Sequence, residues 1–244
     1  MSPGQSRCVA SGWLPEWRAT IKHPQPACVN ADVARGAFNE ILHGELARVR
    51  GQPDGSITSA VANDTATELT DDAIVAQLRV ILFGAIETVE SMVLNAVLLL
   101  LEHPDQLAAV EADPGLFPNA VEEAMRLIPP VAFIERWTSA PTTLGAVELG
   151  HGEFVGVSTL AANRDPEVFE EPLRFDARRR NARHHLAFSF GVHHCLGFNM
   201  ARLQGPIAVK AILDRLRGLE LAEAPEPHGF AFRRPPELHL RWQA

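Results

Sequence analysis

Apolar positions recur at three- and four-residue intervals through Val33, Ala37, Phe38, Ile41, Leu42 and Leu46, which places them on one face of a helix over residues 32–50. The cluster Gly51, Pro53, Asp54 and Gly55 ends it. A longer helical pattern runs from Thr70 to about His103, with the Thr70 hydroxyl placed to cap the first turn and Asp71 and Asp72 at the positive end of the dipole. Pro104 suits the first position of a following helix, and Pro118 the first turn of another that carries Val121 to Leu127 and stops at Pro129 and Pro130. Beyond the double proline the period changes. Residues 133–138, 142–149 and 153–159 read as short strands separated by glycine turns. A last helix over residues 196–216, in which Gly205-Pro206 predicts a kink, leads to a hairpin near Phe230 to Trp242. Residues 1–31 hold Pro3, Pro15, Pro24 and Pro26 without a sustained period and read as an irregular extension. The fold class is mainly α with a small β component.

Composition narrows the function. Apolar residues make up 46% of the 244 and charged residues 21%, which suits a folded globular chain rather than a disordered one. The 30 acidic residues outnumber the 22 basic ones, so nothing in the total charge suits a nucleic-acid partner. Cys8, Cys28 and Cys195 include no Cys-x-x-Cys pair, which argues against a disulfide framework or a four-cysteine zinc site and fits a reducing cytoplasm. Arg7 and its polar neighbours do not make a secretory signal. The longest apolar stretch, Met92 to Leu101, is broken by Asn95 and is about half a bilayer span, so no membrane anchor is expected.

Chemistry concentrates in Phe188-Ser-Phe-Gly191-Val-His193-His-Cys195-Leu-Gly197, just ahead of the last helix. A cysteine there gains thiolate character from backbone N–H groups and the helix N-terminus, which prepares it to bind iron. A buried cysteine beside a histidine pair, or a zinc site from His184, His185, His193, His194 and Cys195, would use some of the same residues. Glu123 and Arg126 share a helix face and can pair, although such a pair alone is usually solvated. In the middle of the long helix, Gly84-Ala85-Ile86-Glu87-Thr88 sets two small residues before an acid and a hydroxyl; a packed Gly/Ala contact with a satisfied acid is the other reading.

The segment 188–197 resembles the haem-binding signature of the cytochrome P450 family, Phe-x-x-Gly-x-His-x-Cys-x-Gly, at every fixed position. Glu123-Ala-Met-Arg126, Ala162-Asn-Arg-Asp-Pro166, Pro172-Leu-Arg174-Phe175 and the Gly84–Thr88 segment are similar to further family motifs, in the family's order. The resemblance implies an incomplete cytochrome P450 fold over residues 32–244 that binds haem b with Cys195 as axial iron ligand. It implies that Phe188 covers the sulfur side, that Gly191 and Gly197 let the backbone pass the macrocycle, and that His193 and Arg136 meet the propionates. Gly84 and Ala85, in reverse of the usual order, would leave space over the iron. Glu87 and Thr88 would serve oxygen activation and proton delivery, and Glu123, Arg126 and Arg174 a buried structural triad.

The implied activity is insertion of an oxygen atom from O2 into a small apolar molecule, with Val131, Ala132, Phe133 and Ile134 at the pocket. The chain has no dinucleotide fingerprint or cysteine cluster, so electrons would come from a ferredoxin or flavodoxin. Arg178, Arg179, Arg180 and Arg183 could receive that donor or form a solvated basic loop. The helices that precede Asp32 in the family are missing, and Trp13, Trp17 and Arg18 do not reproduce their pattern. An inactive remnant, or a haem-binding or partner-binding protein, is the alternative. The lost wall should expose Ile81, Leu82 and Val89 and drive self-association or recruitment of a second polypeptide.

Overall fold

The computed structural model describes residues 25–66, 68–223 and 225–243. The chain divides into two compact units, with the boundary after Ile81. In the first unit, helix α1 (Gln25–Gly51) starts inside the segment read as irregular. Pro26 stands in its first turn, where an amide donor would have no helical partner anyway, so the proline is no obstacle. The rest of the expected extension, residues 1–24, lies outside the described residues. Of the expected apolar face of α1, Leu42 and Leu46 are buried, together with Val49, but Val33, Ala37, Phe38 and Ile41 are exposed, so the period is met by burial only in the second half of the helix; Ile74, Val75 and Leu78 are buried as well. Helix α2 (Ile57–Ala62) is capped by Ser56, whose Oγ accepts from the Ser59 N–H at 3.1 Å. Asn63 Nδ2 ties its end to α1 through the Val49 carbonyl at 3.2 Å.

Helix α3 (Asp71–Glu102) begins where Thr70 Oγ1 accepts from the Ala73 N–H at 3.3 Å, and runs on into the second unit. By length and composition it is apolar enough to cross a membrane, the one such helix among the described residues. Counting only the run from Met92 to Leu101 missed this, because the helix stays apolar on both sides of its few polar residues. Its final turns nonetheless form a protein core. Met92 and Ala96 to Leu100 are buried, and Asn95 between them donates to the carbonyls of Ile128 and Arg233, each at 3.0 Å. A buried amide with two protein partners is the solution of a packed interior.

Helices α4 (Pro104–Ala112) and α5 (Phe117–Leu127) follow, each with proline in its first turn. Nine of the eleven α5 residues are buried, including Glu122, Glu123 and Arg126. Strand β1 (Phe133–Trp137) pairs antiparallel with β4 (Phe154–Ser158), which places Arg136 opposite Val155. The single strand expected over residues 142–149 is a hairpin of β2 (Thr142–Leu144) and β3 (Val147–Leu149), turned at Gly145 with φ of 60°. A short helix, α6 (Thr159–Ala162), is capped by Ser158.

Helix α7 (Phe198–Arg215) runs unbroken through Pro206. A Cβ on the adjacent Gly205 would stand 2.8 Å from Met92 Cε and 3.0 Å from Val121 Cγ1, so glycine is what lets α7 approach α3 and α5 this closely. Of the C-terminal hairpin expected near residues 230–242, only one antiparallel bridge forms among the described residues, between His228 and Arg234 at the start of that segment. Strand β6 (Leu240–Arg241) pairs instead with β5 (Glu220–Leu221), and Phe232 bridges to Val131. Pro235 and Pro236 lack the donors a continuous ladder would need.

Candidate functional site

Cys195 stands just ahead of α7 as an exposed free thiol. Its N–H donates to the Phe188 carbonyl at 2.9 Å, and the His194 N–H to the Gly191 carbonyl at 3.0 Å, which close a tight loop over residues 188–195. The loop needs left-handed backbone at Gly191 (φ 70°) and accepts it at Ser189 (φ 60°). A Cβ at Gly191 or Gly197 would meet nothing within 4 Å, so the space beside both glycines is open. Phe188 is buried at the loop's base, whereas His193 is exposed beside the cysteine.

On α3, the space at Gly84 is likewise open, Ala85 is exposed and Thr88 is half-buried. Thr88 Oγ1 donates to the Gly84 carbonyl one turn back, which leaves its lone pairs as acceptors. The Glu87 carboxylate accepts from Arg234 Nε at 3.2 Å, and Arg234 Nη1 lies 3.7 Å from Glu90. Sequence reasoning missed Arg234, because a residue so distant along the chain carries no local signal. Arg136, half-buried on β1, donates Nη1 to the Glu135 carbonyl at 2.8 Å.

These residues fit haem better than zinc. No three metal-ligating side chains converge among the described residues, so a tetrahedral site from the histidines and Cys195 is not built. A macrocycle that brings its own four nitrogens needs one axial ligand and open backbone beside it, which Cys195 and its flanking glycines provide. Residues 116–237 match the family model described as cytochrome P450. The chain belongs to the cytochrome P450 family. It is 38% identical over 193 residues to cytochrome P450 107B1 of Saccharopolyspora erythraea, covering 78% of this chain and 47% of that protein. To the cytochrome P450 monooxygenase PikC of Streptomyces venezuelae it is 37% identical over 192 residues, covering 75% and 46%. Among solved structures it resembles P450BioI in complex with a hexadec-9Z-enoic acid ligated acyl carrier protein, with a TM-score of 0.85 at 28% identity over 93% of this chain and 61% of that one. The chain therefore has a partial P450 fold and spans about half the length of the curated relatives it matches.

Two adjacent carboxylates on α5 organise the buried polar part of this P450 fold. Glu123 accepts from Arg126 Nε at 2.7 Å and Nη2 at 2.8 Å, a bidentate pair without exposed surface. The second guanidinium at Glu123 is that of Arg179, whose Nε lies 2.9 Å from Oε1; it is not Arg174. Arg174 turns outward to Glu171 at 2.8 Å and offers only its backbone carbonyl, which accepts from both Arg126 and Arg179 at 3.1 Å. Arg179 reaches inward because the carbonyls of Glu170 and Glu171 also take its donors, at 2.6 and 3.3 Å. It is 8% exposed, so Arg179 serves neither alternative given for its basic run, a surface for an electron donor or a solvated loop.

Glu122 faces another set of partners, of which the sequence had named His185 only for the zinc alternative and Arg183 only within the basic run, and Arg202 not at all. It accepts from His185 Nε2 at 2.9 Å and from Arg202 Nε at 2.6 Å, with Arg183 Nε at 3.5 Å. Burial opposes ionisation of Glu122, but hydrogen bonds and charge from His185 and Arg202 outweigh it and hold the carboxyl below the ordinary glutamate value. The one available signal was the doubled glutamate at 122–123, whose members must point in different directions from one helix.

Proposed function

We propose that this chain is the haem-thiolate portion of a monooxygenase that inserts an oxygen atom from O2 into a small apolar molecule, with electrons supplied by a separate ferredoxin- or flavodoxin-type protein. The observation that carries the reading is Cys195: an exposed thiol at a helix N-terminus, held through its amide by the Phe188 carbonyl, with open backbone on both sides. When bound, haem with a thiolate ligand supplies the O–O cleavage chemistry. Cys195 would be the axial ligand, with Gly191 and Gly197 beside the macrocycle and His193 and Arg136 as donors for its propionates. Phe188 closes the cysteine loop from the buried side. Thr88 accepts a proton donor at its lone pairs while its own hydrogen is held by Gly84, and Glu87, partnered by Arg234, is the nearby carboxylate that can exchange protons. Gly84 and Ala85 keep the helix surface low at this point. Glu123, Arg126 and Arg179 hold the fold and take no chemical step.

With a ferredoxin and its reductase supplied, and hexadec-9Z-enoic acid as the apolar probe, Thr88→Ala is expected to divert electrons to peroxide and leave the carbon-monoxide spectrum unchanged. Equal oxygenated product per electron in both proteins would contradict the role of Thr88. A second reading, that this chain alone is not a competent enzyme, is favoured by the exposed Phe190 (83%), Val192 (98%) and Leu196 (86%) around the cysteine. Under it the same assay gives no product until a second polypeptide covers that surface.

A further inference from the structure

Three side chains outside the family motifs meet behind the cysteine loop. Arg202, on the second turn of α7, is held at one end by Glu122, with Nε at 2.6 Å from Oε1 and Nη2 at 3.4 Å from Oε2. Its guanidinium carbon also stands over two aromatic rings, 5.0 Å from the Phe188 centroid and 5.5 Å from that of Phe198. His185 closes the set. Its Nδ1 accepts from the Ala187 N–H at 3.1 Å, which leaves Nε2 to donate to Glu122 at 2.9 Å, and its ring lies 5.6 Å from Phe188. Phe188 is the residue whose carbonyl receives the Cys195 N–H, and Phe198 is the first residue of α7, so Arg202 touches both ends of the loop that presents the thiol. Glu122 belongs to α5, whose buried surface is part of the main core. A continuous chain of contacts thus runs from that core, through a buried carboxylate and a flat cation, to the backbone around Cys195.

We propose that Glu122, His185 and Arg202 are positioning residues that fix the Cys195 loop, and through it the direction in which the thiolate faces its ligand. The proposal rests on the haem-thiolate reading for its meaning but not for its measurement, because the loop's order is observable without haem. Arginine suits this position because its rigid fork donates to both oxygens of Glu122 while its delocalised charge stands over two rings inclined at 65° to each other, and lysine supplies the charge without the fork.

Amide hydrogen exchange on the full haem-free chain reads the hydrogen bond from Cys195 to Phe188 directly, with the amides of β1 as an internal reference. Arg202→Lys is expected to speed exchange at Cys195 by about tenfold, the scale of a lost desolvated cation–π contact, and to leave β1 unchanged. Glu122→Gln should act in the same direction. Lys210→Ala, which removes another cation near a ring, Phe117, far from the loop, should leave Cys195 exchange as it is. In the haem-loaded chain, Arg202→Lys should raise the share of carbon-monoxide complex that lacks the red-shifted thiolate band. Unchanged exchange at Cys195 in Arg202→Lys would overturn the positioning role whatever the haem spectra show. Absence of a thiolate band from the unsubstituted chain would instead overturn the haem-thiolate reading, and the exchange result would still stand by itself.

Discussion

Arg126 is fully buried and meets both oxygens of Glu123, so its loss leaves a carboxylate without access to water, its Oε2 unpaired and its Oε1 held only by Arg179 and the Asp176 N–H. Arg126→Ala is therefore expected to cost about 3–5 kcal/mol, a large share of the stability of an ordinary domain. Arg179→Ala should destabilise in the same direction, whereas Arg174→Ala should leave the thermal melting curve in place, since only the Arg174 backbone enters the network. Melting curves of the three variants separate the two assignments. If Arg174→Ala melted far below Arg179→Ala, the pairing described here would be wrong. At Glu122 the expectation concerns pH. Its carboxyl titrates below the ordinary glutamate value in the folded chain, so its contribution is fully present above about pH 4.3 and is lost as pH falls through the lowered folded value. Glu122→Gln should lower stability at neutral pH and flatten its fall on the acid side, as read by urea unfolding at several pH values.

Among the elements, the contact of α7 with α3 and α5 is set by one position. At Gly205, alanine gains about 1 kcal/mol of helix propensity, but its methyl group meets Met92 and Val121, so Gly205→Ala should change stability little. Gly205→Leu has no such balance and should cost about 1–3 kcal/mol through overpacking, measured by denaturant unfolding. The helices were legible chiefly from their starts, which Thr70, Pro104 and Pro118 mark for α3, α4 and α5, since α3 is apolar nearly all round and shows little one-sided period. Pairing was less legible. The β5–β6 contact joins Leu221 to Leu240, and a two-residue strand leaves no alternation to read. The cysteine loop was legible because its glycines and its position before α7 are local features. Arg179, Arg202 and Arg234 were not, because which arginine turns inward depends on carboxylates and carbonyls brought near only by the fold.

At the scale of the whole molecule, the chain has a partial P450 fold and leaves apolar surface uncovered in its second unit. The residues expected to be exposed on α3 were Ile81, Leu82 and Val89, but all three are half-buried; the large apolar residues exposed on that helix are Val80, Phe83 and Ile86. On α7 and just before it, Leu196, Met200, Leu203 and Ile207 are exposed at intervals of four, three and four residues, one apolar stripe along the helix. Size-exclusion chromatography should show this chain as an oligomer, or as a monomer only when a second polypeptide accompanies it. A concentration-independent monomer of the isolated chain would contradict that expectation. The central claim, that Cys195 makes this a haem-thiolate protein, is tested most directly by the carbon-monoxide difference spectrum of the reduced, haem-loaded chain beside that of Cys195→Ser. The account predicts the red-shifted thiolate band in the first and its loss in the second; the same band in both proteins would contradict it.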